Sequence, residues 1–241
     1  MAETPSSPNQ PPQKLLIAID GPAGAGKSTV AARLAASLGL PYIDTGAMYR
    51  TVGLLALRDG LQSPLDDVAA DRVTQLILEH SIEAEVGVDG TSILLDGDDV
   101  SSEIRTPECS LMASAVSALP AVRKALVPLQ RALAERSGGV MEGRDIGTVV
   151  LPDADLKFFI TASPQERATR RLRDLSPENG GLSLDEVLQQ QQQRDLQDTS
   201  RSESPLQVAR GSVVIDTTGL SLEEVVDRML REAGRLLHHN A

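Results

Sequence analysis

Residues 21–28 read Gly-Pro-Ala-Gly-Ala-Gly-Lys-Ser and fit the pattern G-x-x-x-x-G-K-[ST]. They lie between an apolar run, Leu-Leu-Ile-Ala-Ile-Asp at 15–20, and a stretch with apolar residues at helical spacing, 28–38. A strand, a glycine-rich turn and a helix start, in that order, make a cradle for phosphate. Gly21, Pro22, Ala23, Gly24, Ala25 and Gly26 are predicted to turn backbone N–H groups inward around a nucleotide's phosphates, and the helix opening at Lys27, Ser28 and Thr29 adds fixed positive potential. Lys27 is predicted to reach the β- and γ-phosphates from a solvent-facing position, and the Ser28 hydroxyl to help hold Mg²⁺.

A phosphate cradle serves switches, motors and kinases alike. No Asn-Lys-x-Asp guanine-reading motif occurs in the chain, which argues against a GTPase, and 241 residues are few for a motor. A small-molecule kinase needs a second anion site, a specificity pocket and arginines that neutralise charge during transfer. Three segments offer these. In Asp-Thr-Gly-Ala-Met-Tyr-Arg at 44–50 a strand end turns into a helix, where ligands collect in open α/β sheets, so Arg50 faces either a bound phosphate or a neighbouring carboxylate. In Glu-Gly-Arg-Asp-Ile-Gly-Thr at 142–148 two glycines bracket Arg144 and Asp145, which fits close backbone approach to a ligand or a simple turn. The third segment is basic: Arg167, Arg170, Arg171 and Arg173 crowd one helix, the first three on one face. Beyond them Arg194, Asp198 and Arg201 fall at i, i+4 and i+7, so a continued helix would place all three in one stripe, with Arg194 bracing Asp198.

The elements that must position these residues alternate. Strands are predicted at 15–20, 40–44, 138–143, 155–161 and 212–218, and helices at 28–38, 46–58, 164–175, 183–197 and 221–237. Residues 107–137 read as helical with a break near Pro128, because a proline inside a helix removes a hydrogen bond and clashes with the preceding turn. Alternating strands and helices imply an α/β fold with a parallel sheet covered on both faces. A helix at 65–79 and two alternating runs, 81–87 and 91–97, joined around Val88-Asp89-Gly90 as a hairpin, interrupt this order. Residues 63–104 are therefore predicted to form a small insert in a core made of 14–62 and 105–241, with a lid around 163–203. Residues 1–13 hold four prolines and almost nothing apolar, and are predicted to be a disordered leader. The glutamines at 189–193 read as a solvated helix surface.

Composition narrows the partners. The formal net charge is −11, and the stretch 59–99 carries 11 acids against one base, Arg72, which argues against a nucleic-acid binder. Of the 23 bases 19 are arginine, whose planar fork grips phosphate bidentately. One cysteine and three histidines give neither an intrachain disulfide nor a metal-ligand constellation. No apolar run approaches the roughly 20 residues of a membrane span, and the first residues lack the pattern of a signal peptide. No membrane partner, a cytoplasmic location and a monomeric state are expected.

Taken together, Ile-Asp-Gly-Pro-Ala-Gly-Ala-Gly-Lys-Ser-Thr, the 44–50 segment, Gly-Arg-Asp-Ile-Gly-Thr-Val-Val-Leu-Pro-Asp-Ala at 143–154 and Arg-Asp-Leu-Gln-Asp-Thr-Ser-Arg at 194–201 resemble bacterial cytidylate kinases, nucleoside monophosphate kinases of the P-loop class. The resemblance runs from about residue 15 to the last helix. It implies a P-loop kinase core, an insert that binds the nucleoside monophosphate, and a helical lid. The activity it implies is transfer of the γ-phosphoryl group from ATP, with Mg²⁺, to CMP and dCMP. By position it assigns Arg50, Arg144 and Arg201 to the acceptor phosphate. Thr45, Asp145, Ser114 and Arg123 fall to the base, Arg194 and Asp198 to the sugar, and lid arginines such as Arg170 or Arg171 to the transferring group. Family members often carry serine at the Thr45 position. Another small-molecule P-loop kinase, or a nucleotide-binding regulatory switch, are the competing readings of the same motifs.

Overall fold

A computed structural model describes residues 14–87, 90–174 and 181–239, with side chains given for all of these except 87 and 236–239. The leader, two of the three hairpin residues (Val88 and Asp89) and lid residues 175–180 lie outside the described residues.

Five strands form the central sheet: β1 (Leu16–Asp20), β2 (Tyr42–Asp44), β6 (Gly139–Gly143), β7 (Leu156–Thr161) and β8 (Val213–Asp216). Their order is β2-β6-β1-β7-β8 and every pairing is parallel. Alternation along β1 divides the core: Ile17 and Ile19 point to one face and Ala18 to the other. On the first face they meet Val30 and Leu34 of α1 (Lys27–Leu38) and Met229 of α8 (Leu222–His239). The second face is covered by α2 (Thr45–Arg58), α4 (Pro107–Val116) and α5 (Pro120–Ser137). Because β6 inserts between β1 and β2, the chain runs from β1 out to β2 on one side and later crosses β1, from β6 to β7, toward the other side. Such a reversal opens a crevice at the strand C-termini. Residues 21–26 and 143–148 both start there.

The acidic block folds as α3 (Asp67–Glu79) followed by an antiparallel sheet of β3 (Ile82–Gly87), β4 (Gly90–Leu95) and β5 (Asp98–Asp99). Its lone base, Arg72, is shared between Asp59 at 2.7 Å and Glu79 at 3.2 Å. Ala84, Ile93 and Leu95 on its inner face pack into the same apolar cluster as Met48, Val52, Met112 and Leu126 of the core helices. Burying those side chains is worth roughly 1.5–3 kcal/mol for each large one, so this sheet is anchored by apolar contact.

Two expectations need correction. The break in the 107–137 region is at residues 117–119, between α4 and α5, which are bent by 103°. Pro120 occupies the first turn of α5, where its missing N–H costs nothing, whereas Pro128 sits inside α5 with Leu126, Gln130 and Leu133 buried around it. The glutamine run is not uniformly solvated either: within α7 (Leu184–Ser200), Gln191 is buried, its neighbours exposed. Among the described residues no single helix is long and apolar enough to cross a membrane.

Candidate active site

The glycine-rich turn has the backbone its composition requires. Gly24 and Gly26 have φ of 74° and 86°, where L side chains are strained, and a Cβ on Gly21 would lie 1.9 Å from the Ile160 carbonyl oxygen. Gly26 caps α1, whose first turn holds no acid to offset the positive end of the helix. Lys27 is buried rather than solvent-facing. Its Nζ donates to the Pro22 carbonyl at 2.7 Å across the turn. Burial pushes its ammonium down to about 7, with Arg144 and Arg194 acting the same way and Glu142 and Asp198 opposing them.

The 44–50 segment is organised by Asp44. One carboxylate oxygen caps α2 by accepting from the Ala47 N–H at 3.1 Å, and the other meets Arg50 at 2.7 Å. Ser28, Thr29, Tyr42, Asp44 and Arg50 line one cleft of about 350 Å³ together with Arg105 and Ser110, so the start of α1 and the 44–50 segment share a cavity. The Thr45 hydroxyl donates to the Glu142 carbonyl at 2.7 Å, leaving only its lone pairs for a ligand.

The 142–148 segment leaves β6 through a wide turn, 146–150, in which the Val150 and Leu151 N–H groups reach back five residues to Asp145 and Ile146. Asp20 at the end of β1 fixes it, one oxygen accepting from the Ile146 N–H at 2.8 Å and the other from the Gly147 N–H at 2.7 Å. Burial pushes the Asp20 carboxyl up to about 6 against these two donors. Asp145 pairs with Arg123, both fully buried, and Arg123 lies over the Tyr49 ring at 5.5 Å. Ser114 is beside α7, its hydroxyl donating to Gln197 at 3.3 Å.

Asp198 is the centre of the remaining charges, but not through Arg194. Its two oxygens take Arg144 at 3.0 Å and Arg201 at 2.9 Å. Burial works to raise its carboxyl, and Arg144, Arg201 and Arg194 overcome it, holding it below the usual carboxylate range. α7 ends at Ser200, so Arg201 leaves the helical stripe and folds back onto Asp198. The Arg194 Nε is buried with no hydrogen-bond partner among the described residues, and burial, with Arg144, holds its guanidinium down at about 10. The Ser117 carbonyl, in the break between α4 and α5, accepts from both Arg123 at 3.4 Å and Arg201 at 3.3 Å. It thus joins the Asp145 side of the cavity to the Asp198 side.

Helix α6 (Pro164–Asp174) carries the other arginines. Arg170 donates to Glu166 at 2.9 Å and to the Thr217 hydroxyl and carbonyl at 2.8 and 2.7 Å, beside Gly26. Arg171 makes no ion pair among the described residues and is close enough to lower the pKa of Arg194. Arg167 is buried in contact with the glycine-rich turn.

A family model described as cytidylate kinase matches residues 17–235. The chain belongs to the cytidylate kinase family. It is 50% identical over 213 residues to the cytidylate kinase of Caldanaerobacter subterraneus subsp. tengcongensis, covering 88% of this chain and 92% of that one. It is 49% identical over 220 residues to the cytidylate kinase of Desulfitobacterium hafniense, covering 90% and 92%. A bifunctional pantoate ligase/cytidylate kinase of Synechococcus is 46% identical over 243 residues, which span 99% of this chain and 44% of that longer one. As a member of this kinase family the chain is an enzyme, a nucleotide-binding transferase.

Several residues of this candidate site escaped the sequence reading: Asp20, Tyr42, Glu142, Arg105, Ser110, Gln191 and Thr217. A signal existed for two. Asp20 and Glu142 are polar residues at the C-terminal ends of strands otherwise buried on both faces, where polar side chains are uncommon without a task.

Proposed function

We propose that this enzyme transfers the γ-phosphoryl group of ATP to the phosphate of CMP and of dCMP, giving CDP or dCDP and ADP. The bond between the γ-phosphorus and the bridging oxygen breaks, that oxygen leaving on ADP with the electron pair, and a CMP phosphate oxygen forms the new bond. That oxygen is already anionic at neutral pH, so no strong general base is required. Positioning and charge neutralisation carry the rate. Residues 21–29 hold the donor, with Lys27 against its β- and γ-phosphates; Arg50, Arg144 and Arg201 hold the acceptor phosphate, and Arg194 and Asp198 the sugar. Arg171, and Arg170 once released from Thr217, neutralise the transferring group. The 63–104 unit frames the acceptor pocket, and α6 with α7 forms the lid.

The observation that supports cytosine most directly is the Arg123–Asp145 pair, two residues along the chain from Gly143, where a Cβ would lie 2.9 Å from the Thr45 hydroxyl. Arg123 holds the Asp145 carboxylate in place, a carboxylate only accepts, and Thr45 has spent its proton on the Glu142 carbonyl. Two acceptors suit the amino group at C4 of cytosine and face the C4 carbonyl of uracil without a donor between them. For Mg²⁺ the Ser28 hydroxyl and the Glu142 carboxylate fit, because both are oxygen donors. The Tyr42 hydroxyl donates to Glu142 at 2.9 Å and stands against the Ser28 side chain, which brings the two donors to one place. When bound there, the ion screens the charge of the donor phosphates. A turnover screen with ATP over CMP, dCMP, UMP, AMP and sugar-acid acceptors tests the reading. CMP and dCMP are expected to lead, and ATP turnover indifferent to every acceptor would overturn it.

A further inference from the structure

Arg167 looks in sequence like one more lid arginine, yet its donors are committed to three separate elements. The Nε donates to the Ala162 carbonyl at 3.2 Å, just before α6. One terminal nitrogen donates to the Ala23 carbonyl at 3.0 Å, in the middle of the glycine-rich turn. The other meets the Asp195 carboxylate on α7 at 2.6 Å. The backbone carbonyl of the same residue accepts from Gln191 Nε2 at 3.2 Å, and that amide packs 2.6 Å from where Gly24 would carry a Cβ. The Arg167 side chain is 6% exposed, so these contacts are made away from water. A lysine could satisfy one of the three directions. Only the guanidinium fork satisfies all of them at once.

The placement on α7 gives this junction its consequence. Asp195 directly follows Arg194 and lies one turn before Asp198, the carboxylate that holds Arg144 and Arg201. Among the described residues Gln191 Oε1 and one Asp195 oxygen are buried without a hydrogen-bond partner, so the seat of α7 depends on the bonds that Arg167 makes to Gln191 Nε2 and to the other Asp195 oxygen. Whatever settles the Ala23 carbonyl therefore settles α7, and whatever holds Asp198 and Arg194 steadies the turn.

We propose that Arg167 is a positioning residue that couples the donor site to the acceptor site. A nucleotide seated in the glycine-rich turn fixes the Ala23 carbonyl and favours the docked arrangement of α7. An acceptor nucleotide gripped by α7 favours the same arrangement. Two ligands that prefer one state strengthen each other, by the same factor in either direction. The proposal rests on the functional reading above and adds the means by which one substrate reports its presence to the other.

The test measures the dissociation constant of CMP with and without a non-transferable ATP analogue, for the full chain and for Arg167→Met, Arg167→Lys and Asp195→Asn. The native chain is expected to bind CMP about tenfold more tightly with the analogue present, within the usual range of such couplings. Arg167→Met and Asp195→Asn are expected to reduce the factor to about twofold or less, and Arg167→Lys to restore part of it. Native folding of each variant is checked by its thermal transition. Should Arg167→Met fail to fold, Asp195→Asn, which keeps shape and removes charge, decides alone. Amide exchange in the native chain gives a reading independent of any variant, with α7 expected to slow when the analogue alone is added. An undiminished factor in Asp195→Asn, or an α7 whose exchange ignores the analogue, overturns the coupling. A native chain that binds no CMP overturns the functional reading instead.

Discussion

At the scale of single residues, Lys27 and Asp145 give the sharpest expectations. Lys27 is mostly neutral at about pH 8 before nucleotide arrives, because burial and two arginines hold its pKa near 7. Polyphosphate favours the charged form and raises that pKa, so binding at about pH 8 takes up close to one proton, whereas at about pH 5.5 the lysine is already charged and takes up none. Calorimetry of ATP binding in buffers of different ionisation enthalpy measures this, and Lys27→Met is expected to abolish the difference. Asp145→Asn keeps the shape and offers an amide that Arg123 turns toward donating. An unmade buried hydrogen bond costs roughly 1–3 kcal/mol, so the ratio of kcat/KM for CMP over UMP is expected to fall by about tenfold. A ratio that holds while both substrates decline would make Asp145 a brace for Arg123 alone. The motif residues were legible because their chemistry is tied to a strand end and a helix start. The partner of Asp198 was not. Spacing offered Arg194 four residues away, but spacing reports which face of a helix a residue occupies, not what crosses to meet it, and Arg144 comes from the segment that follows β6.

At the scale of elements, the outer edge of β2 shows how the small sheet meets the large one. The Thr91 hydroxyl on β4 donates to the Tyr42 carbonyl at 2.8 Å and accepts from the Asp44 N–H at 3.3 Å. One side chain thereby satisfies both backbone groups that a neighbouring strand would have paired, right beside the Asp44–Arg50 pair. Thr91→Val removes both bonds without changing shape. It is expected to raise KM for CMP severalfold, to leave KM for ATP nearly unchanged, and to cost about 1–3 kcal/mol of stability, with Thr91→Ser recovering most of each. Equal movement of both KM values would mean that the acidic block is held elsewhere. Strand and helix positions were readable to within a few residues from apolar periodicity and glycine stops. The wide turn at 146–150 was not, because nothing in Ile-Gly-Thr-Val-Val marks it; Asp20, more than a hundred residues earlier, holds it open. The break at 117–119 was misplaced for a similar reason. Pro128 is tolerated because the buried residues on either side keep its helix packed.

At the scale of the whole molecule, the acidic block and the core share one apolar cluster, and this sets how the protein unfolds. Ile93 is fully buried in that cluster. Ile93→Ala is expected to cost about 2–5 kcal/mol and to shift a single calorimetric transition. Two separated transitions, with only the first moved, would show the block to be an independent unit. The strand order that places β6 between β1 and β2 was not readable, since local pattern carries no record of which strands meet. The carbonyl of Ser117 is where that order has its furthest effect. This one backbone oxygen receives Arg123 from the Asp145 side and Arg201 from the Asp198 side. The main chain supplies this oxygen whatever side chain residue 117 carries, while the Ser117 hydroxyl separately donates to the Ser114 carbonyl at 2.9 Å. What the link does not tolerate is a change in chain length. One residue inserted or deleted between Val116 and Pro120 is expected to swing the carbonyl away from both arginines and so to loosen both sides of the cavity together.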